Sequence, residues 1–348
     1  MRLGKLARIM VACSWMHRPR IGRQRAVASS RRDAITKRAA CISLTALALQ
    51  FGGSAPAQDT KSDAPVPEAR SLLGRPLIPM ALAPEERAKL QSNLDAAIAA
   101  LAVDPDDPEK VIWAGRRLAY LGRYRDAVAM YSRGLERWPE SFKLLRHRGH
   151  RWITLREFDR AIADLEQAAR LIRSRPDEAE PDGAPNSSNI PRSTSHSNIW
   201  YHLGLAYYLK GDFASAARCY RECLKFSTND DMLCATSDWL YMTCRRLRQN
   251  SAARAVLEPI RAEMEILENH AYHRRLRMYK GEIPPDSLLS TTGATDLDIA
   301  TQGYGVGNWF LCNGDTLKAK AIFQRVIEGS YWPAFGSIAA EADLARMR

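Results

Sequence analysis

Between residues 197 and 225 apolar and small residues recur at helical spacing, break, and recur again. Trp200, Leu203, Gly204 and Tyr207 lie three or four apart, as on one helix face; Lys210-Gly211-Asp212 interrupts them; Ala216, Tyr220 and Cys223 restore the spacing. The pattern predicts two antiparallel helices, with Gly211 closing the first. Gly204 and Ala216 are small where the helices cross, and Trp200, Leu203, Tyr207 and Tyr220 fill the space around that crossing.

The frame recurs. Counting from Pro108, Gly115, Leu118, Gly122, Tyr124, Ala127 and Tyr131 stand at positions 8, 11, 15, 17, 20 and 24. The next copy starts 34 residues on, with Gly149, Trp152, Phe158, Ala161, Leu165 and Ala168 in frame. A last copy holds Gly307, Phe310, Gly314, Ala319 and Phe323. Between these, 231–264 reads as two helices, 266–281 as one, and a short helix is expected near Asp286. Upstream, Pro84-Glu85-Glu86 starts a helix whose apolar face is Leu90, Leu94, Ile98 and Leu101. A closing helix over 334–348 is expected to cover the exposed apolar end of the array. The segment 174–197, rich in Pro, Ser, Asp and Glu, reads as a disordered or surface loop.

The 34-residue copies fit the pattern W-x2-L-G-x2-Y…A-x3-F, and over 108–348 the chain resembles the tetratricopeptide repeat family. The resemblance implies an all-α fold, a solenoid of antiparallel helix pairs. It also implies a protein-binding scaffold working through a concave groove lined by each repeat's first helix. In the family the groove positions are 2, 5, 6, 9, 12 and 13. Here they give Arg116 and Tyr120 from the first copy and Lys143, Arg146, His147 and His150 from the second. The third gives Asn198, Tyr201, His202 and Tyr208. This set resembles the carboxylate clamps of some members, although the usual Lys and Asn positions are only partly matched. The expected partner is a protein or peptide with an acidic segment or chain end, and the chain's own "PDEAEPD" is expected to occupy the groove when no partner is present.

Charge first points elsewhere. The net charge is +12, from 51 Lys/Arg and 39 Asp/Glu. Residues 1–57 hold 11 of the bases and one of the acids, which leaves 40 and 38, a net +2, for 58–348. The basicity belongs to the leader, so no nucleic-acid partner is expected. Arg31-Arg32, an apolar run over 39–51 and Ala55-Pro56-Ala57 read as an export signal cut before Gln58. Arg31-Arg32 resembles a twin-arginine signal, with Ala34 where that motif usually has Phe; the general secretory route stays open. The apolar run is too short to span a bilayer, so no stable membrane insertion is expected after cleavage. The resemblance and the leader together describe an exported bacterial member, periplasmic or secreted. The expected division is 1–57 signal peptide, 58–83 linker, 84–265 helix and repeats with the 174–197 insertion, and 266–348 degenerate repeat, last repeat and capping helix.

Candidate chemistry is sparse. No G-x-S-x-G, Walker loop or H-E-x-x-H is present, so a non-catalytic role without a cofactor is expected. His147/His150 and His270/His273 each share a helix side, but no third ligand is identifiable. Five cysteines follow the leader at irregular spacing, which is not a disulfide framework, though a bridge from Cys219 or Cys223 to Cys234 or Cys244 stays open. The alternative reading is a metal- or redox-responsive carrier or sensor using these His and Cys residues.

Overall fold

The computed structural model describes residues 66–290 and 295–348. The leader 1–57 and the cleavage site at Gln58 lie outside the described residues. Those described hold fourteen helices and one two-stranded hairpin, β1 (Ala69–Arg70) and β2 (Pro76–Leu77). The helices run α1 (Pro84–Val103), α2 (Pro108–Tyr120), α3 (Tyr124–Arg137), α4 (Phe142–Thr154), α5 (Phe158–Ile172), α6 (Ser195–Lys210), α7 (Phe213–Leu224), α8 (Asp230–Arg246) and α9 (Asn250–Leu257). They continue with α10 (His270–Tyr279), α11 (Pro285–Leu288), α12 (Asp296–Cys312), α13 (Thr316–Glu328) and α14 (Phe335–Arg346). Among the described residues no helix is long and apolar enough to cross a membrane.

Each copy closes on the same steric pair. A Cβ on Gly115 would come within 2.2 Å of Tyr131, and one on Gly204 within 2.8 Å of Tyr220. The glycine of position 8 therefore lets the large side chain of position 24, a tyrosine in these two copies and Leu165 in the copy between them, lie directly on the backbone of the first helix. The turns repeat as well. Position 15 is left-handed at Gly122 (φ 76°) and Gly211 (φ 88°), and equally at Arg156 (φ 68°) and Arg248 (φ 58°). A side chain in that region costs about 1–2 kcal/mol, so the two arginines need compensation. Arg156 receives it from a buried pair with Glu341, described below.

Neighbouring helices pack antiparallel, and α2, α4, α6 and α8 follow one another along the inner face. The array then folds back on itself. Helices α10 and α12 pack on α8, and α14 packs on α6, α12 and α13. The closing helix therefore does not merely cover an outer end: it lies along the inner face, buried from Gly336 to Leu344. Its two buried acids are paired across the fold. Glu341 meets Arg156 at 2.9 Å, both 3% exposed, and Asp343 meets Arg246 at 2.8 Å. A third buried pair, Arg275 with Asp238, joins α10 to α8.

Two segments differ from expectation. From residue 66 the expected linker is a hairpin with Ala69 and Leu77 buried. Glu68 accepts from Arg125, and Ile78 O accepts from Trp332 Nε1 at 2.6 Å. The 174–197 insertion is neither free nor merely peripheral. Its two limbs pair, with Glu180 N donating to Ser193 O (2.9–3.0 Å bonds on both sides of the Ala179–Thr194 bridge) and Ser195 N to Glu178 O. Its last residues are the start of α6, capped by Thr194 and Ser197 accepting each other's backbone N–H.

Candidate functional site

Six of the ten expected groove residues, Arg116, Tyr120, Lys143, Arg146, His147 and Asn198, converge where α2, α4 and the start of α6 meet the insertion. Lys143 pairs with Glu109 at 2.8 Å and Glu178 at 3.1 Å. Burial pulls its ammonium down, but the hydrogen bonds it donates to these two carboxylates outweigh it and hold Lys143 above the ordinary lysine value. Arg146, 8% exposed, meets Glu180 at 3.0 Å and donates to His147 Nδ1 at 2.9 Å. Asn198 donates to the other oxygen of Glu180 at 3.0 Å. Arg116 donates to Pro181 O at 2.8 Å and Arg117 to Gly183 O at 3.1 Å. Tyr120 lies so close to Gly183 that a side chain there would strike its hydroxyl. Asp177 anchors the near end by accepting from both the backbone N–H and the ring Nδ1 of His196.

The segment 177–183 thus lies across the basic face as a strap, with Glu178 and Glu180 set on Lys143 and Arg146 and the carbonyls of Pro181 and Gly183 on Arg116 and Arg117. The remaining expected residues sit apart. Tyr201 and His202 turn toward α14: the rings of His150 and His202 are 4.3 Å apart, and Phe335 lies 5.3 Å and 5.7 Å from them. Tyr208 is not on the open face at all. It is fully buried, bonded to Tyr304 at 2.6 Å and Asn308 at 3.2 Å, because α12 and α14 cover that stretch of α6.

The segment 197–230 matches the family model for the tetratricopeptide repeat. The chain carries a tetratricopeptide repeat. No curated protein matches the sequence. Among solved structures it is similar to a tetratricopeptide repeat protein from Parabacteroides merdae ATCC 43184, 14% identical with a TM-score of 0.44, covering 76% of this chain and 94% of that one. It is also similar to YrrB, a TPR protein with an unusual peptide-binding site: 14% identity, TM-score 0.39, 73% of this chain and all of that one. BtubC from P. vanneervenii is 15% identical at a TM-score of 0.40, over 70% and 89%.

Around the repeat, electrostatics follow from burial. His147 and His150 are held well below the ordinary imidazole value, by burial first and then by neighbouring arginines, Arg146 foremost for His147 and Arg151 for His150. Burial and Arg146 do the same to His202. These imidazoles are neutral, and the face's positive charge is its guanidinium groups and Lys143. Such a face suits carboxylates and other oxyanions. A repeat fold of stacked helix pairs suits a protein–protein interaction scaffold. Arg151, one place past the counted positions, and Phe335 on α14 also belong here; no helical frame flags the first, and only the inward course of α14 brings in the second.

The metal and redox reading gains no support. Among the described residues no three His, Cys, Asp or Glu side chains stand together to hold a metal. Cys219, Cys223, Cys234 and Cys244 are buried and Cys312 is half-buried, all as free thiols. Burial pushes the first three up to about 12, so little thiolate forms at neutral pH.

Proposed function

We propose that the protein is a non-catalytic, exported scaffold whose α2–α4–α6 face binds an acidic segment of a protein partner, and that the strap 177–183 occupies this face until the partner displaces it. One observation carries the reading: Glu178 and Glu180 of the chain's own "PDEAEPD" rest on Lys143 and Arg146, as a bound acidic peptide would. Asp182 favours release. Its carboxyl is raised by burial and by Glu268, and its Oδ2 is buried without a hydrogen-bond partner, so the strap is imperfectly held. Lys143 is the residue to change, because its side chain is 34% exposed, whereas reversing Arg146 would put two carboxylates together in the interior. Titrating the full chain with a glutamate-rich peptide should give salt-sensitive binding that a lysine-rich peptide of equal length lacks and that Lys143→Glu abolishes. Equal binding of both peptides would remove the reading. Export has its own check: the native protein's N-terminus should begin at Gln58, and an intact leader would refute it.

A further inference from the structure

Next to the strap's anchors Arg116 and Arg146, a cavity of about 140 Å³ lies between α2 and α4. It has room for a group of several heavy atoms, since a water claims about 30 Å³ of liquid volume. Arg116, Arg146 and Arg151 line it, with His147, His150 and Tyr120. Three guanidinium groups face one space, and a single carboxylate, Glu180, stands beside them. We propose that this cavity binds a phosphate-sized oxyanion held by Arg116, Arg146 and Arg151.

The donors are unspent. Glu180 engages one edge of Arg146 and is shared with Asn198. The Nε of Arg146 is buried with no hydrogen-bond partner, an arrangement that is costly unless an acceptor enters. Arg151 makes no ion pair or side-chain hydrogen bond among the described residues; its guanidinium lies 5.6 Å over the Tyr124 ring. Arg116 rests 4.5 Å over the Trp113 ring and spends one N–H on a carbonyl, with no carboxylate in ion-pair range among the described residues. The three cations repel one another, and Arg116 and Arg151 both oppose the charge on Arg146.

The number of forks decides the ligand. A carboxylate has two oxygens and satisfies one guanidinium fork. A phosphate offers four oxygens and up to two negative charges, enough for three forks and for the excess charge that one glutamate leaves. His147 accepts from Arg146 through Nδ1, so it is neutral with Nε2 protonated, and its ring lines the cavity without adding a charge. The cavity opens to one side, so the phosphate can be a free ion or the end of a phosphomonoester.

The inference goes beyond the acidic-segment reading. It shares Arg116 and Arg146 with that reading, but Arg151 touches nothing in the strap. The test is calorimetric titration of the full chain, freed of phosphate, with inorganic phosphate at constant ionic strength, beside sulfate, acetate and O-phosphoserine. We expect one saturable site per chain for phosphate, competition by sulfate, no saturable uptake of acetate, and affinity at least about tenfold weaker in Arg151→Gln. Without phosphate that variant should melt as the parent does, since the side chain has no hydrogen bond to lose. Equal affinity for phosphate and O-phosphoserine assigns the free ion, and tighter O-phosphoserine binding assigns the ester; either upholds the site. Absence of saturable phosphate binding, uptake matched by acetate, or unchanged affinity in Arg151→Gln overturns it. Lys143 pairs with the strap but does not line the cavity, whereas Arg151 lines the cavity and touches no strap residue, so peptide binding read on Lys143→Glu and phosphate binding read on Arg151→Gln let the two readings fail separately.

Discussion

Gly204 shows how much one side chain decides in this fold. A Cβ there would lie 2.8 Å from Tyr220, a ring that is itself fully buried and cannot swing aside. Gly204→Ala should therefore cost about 1–3 kcal/mol by overpacking, read as a lower urea midpoint at unchanged slope. The buried histidines give a second expectation. Their folded values lie well below the unfolded value of 6.5, with burial the largest cause in each. Below pH 6.5 the unfolded chain takes up protons that the folded chain refuses, so stability falls as pH drops from 6.5 toward the folded values. At pH 5.5 the loss should be up to about 1.4 kcal/mol for each of the three. Urea unfolding at pH 7.5 and 5.5 measures it, and imidazole NMR should show His147, His150 and His202 neutral at both. Rings that titrate near 6.5 in the folded protein would contradict the burial argument.

Helix α14 is held by charge as well as by packing. Removing Glu341 leaves Arg156 buried without its carboxylate, so Glu341→Leu should cost about 3–5 kcal/mol. Arg156→Gly relieves the left-handed backbone yet should still destabilise, because Glu341 then loses its partner. Arg156→Gly with Glu341→Leu should recover most of the loss, and urea denaturation of the four proteins closes the cycle. If the double variant is no better than the singles, the pair does not explain the docking. These contacts mark the boundary of what the sequence discloses. Gly115–Tyr131 and Gly204–Tyr220 obey a local period, so helix pairs are readable from spacing alone. Arg156 and Arg248 occupy the turn position that Gly122 and Gly211 fill elsewhere, which disguises the turn at both places. The course of α14 was not readable, because its apolar residues fit an end cap as well as an inner helix. Only the pairing of Glu341 and Asp343 with arginines far along the chain separates the two.

At the scale of the molecule, the inner face is filled by two segments far apart in the chain, by the strap 177–183 over α2 and α4 and by α14 over α6. Composition makes the strap look like loose loop, since it has almost no large apolar residue. What docks it is charge complementarity across long separations, Glu178 to Lys143 and Glu180 to Arg146, which no local pattern contains. The basic residues were readable from the helical frame; that Tyr208 belongs to the interior was not, since its frame position is the same in an open groove and a covered one. The central claim is that the strap stands in for an acidic ligand. Its most direct test is fluorescence anisotropy of a labelled peptide of residues 175–190, added to the full chain and to its Glu178→Gln, Glu180→Gln, Asp182→Asn variant. Saturable binding to the variant, at least about tenfold tighter than to the unaltered chain and lost again on Lys143→Glu, is the predicted result; equal binding to both proteins, or none to the variant, would contradict it.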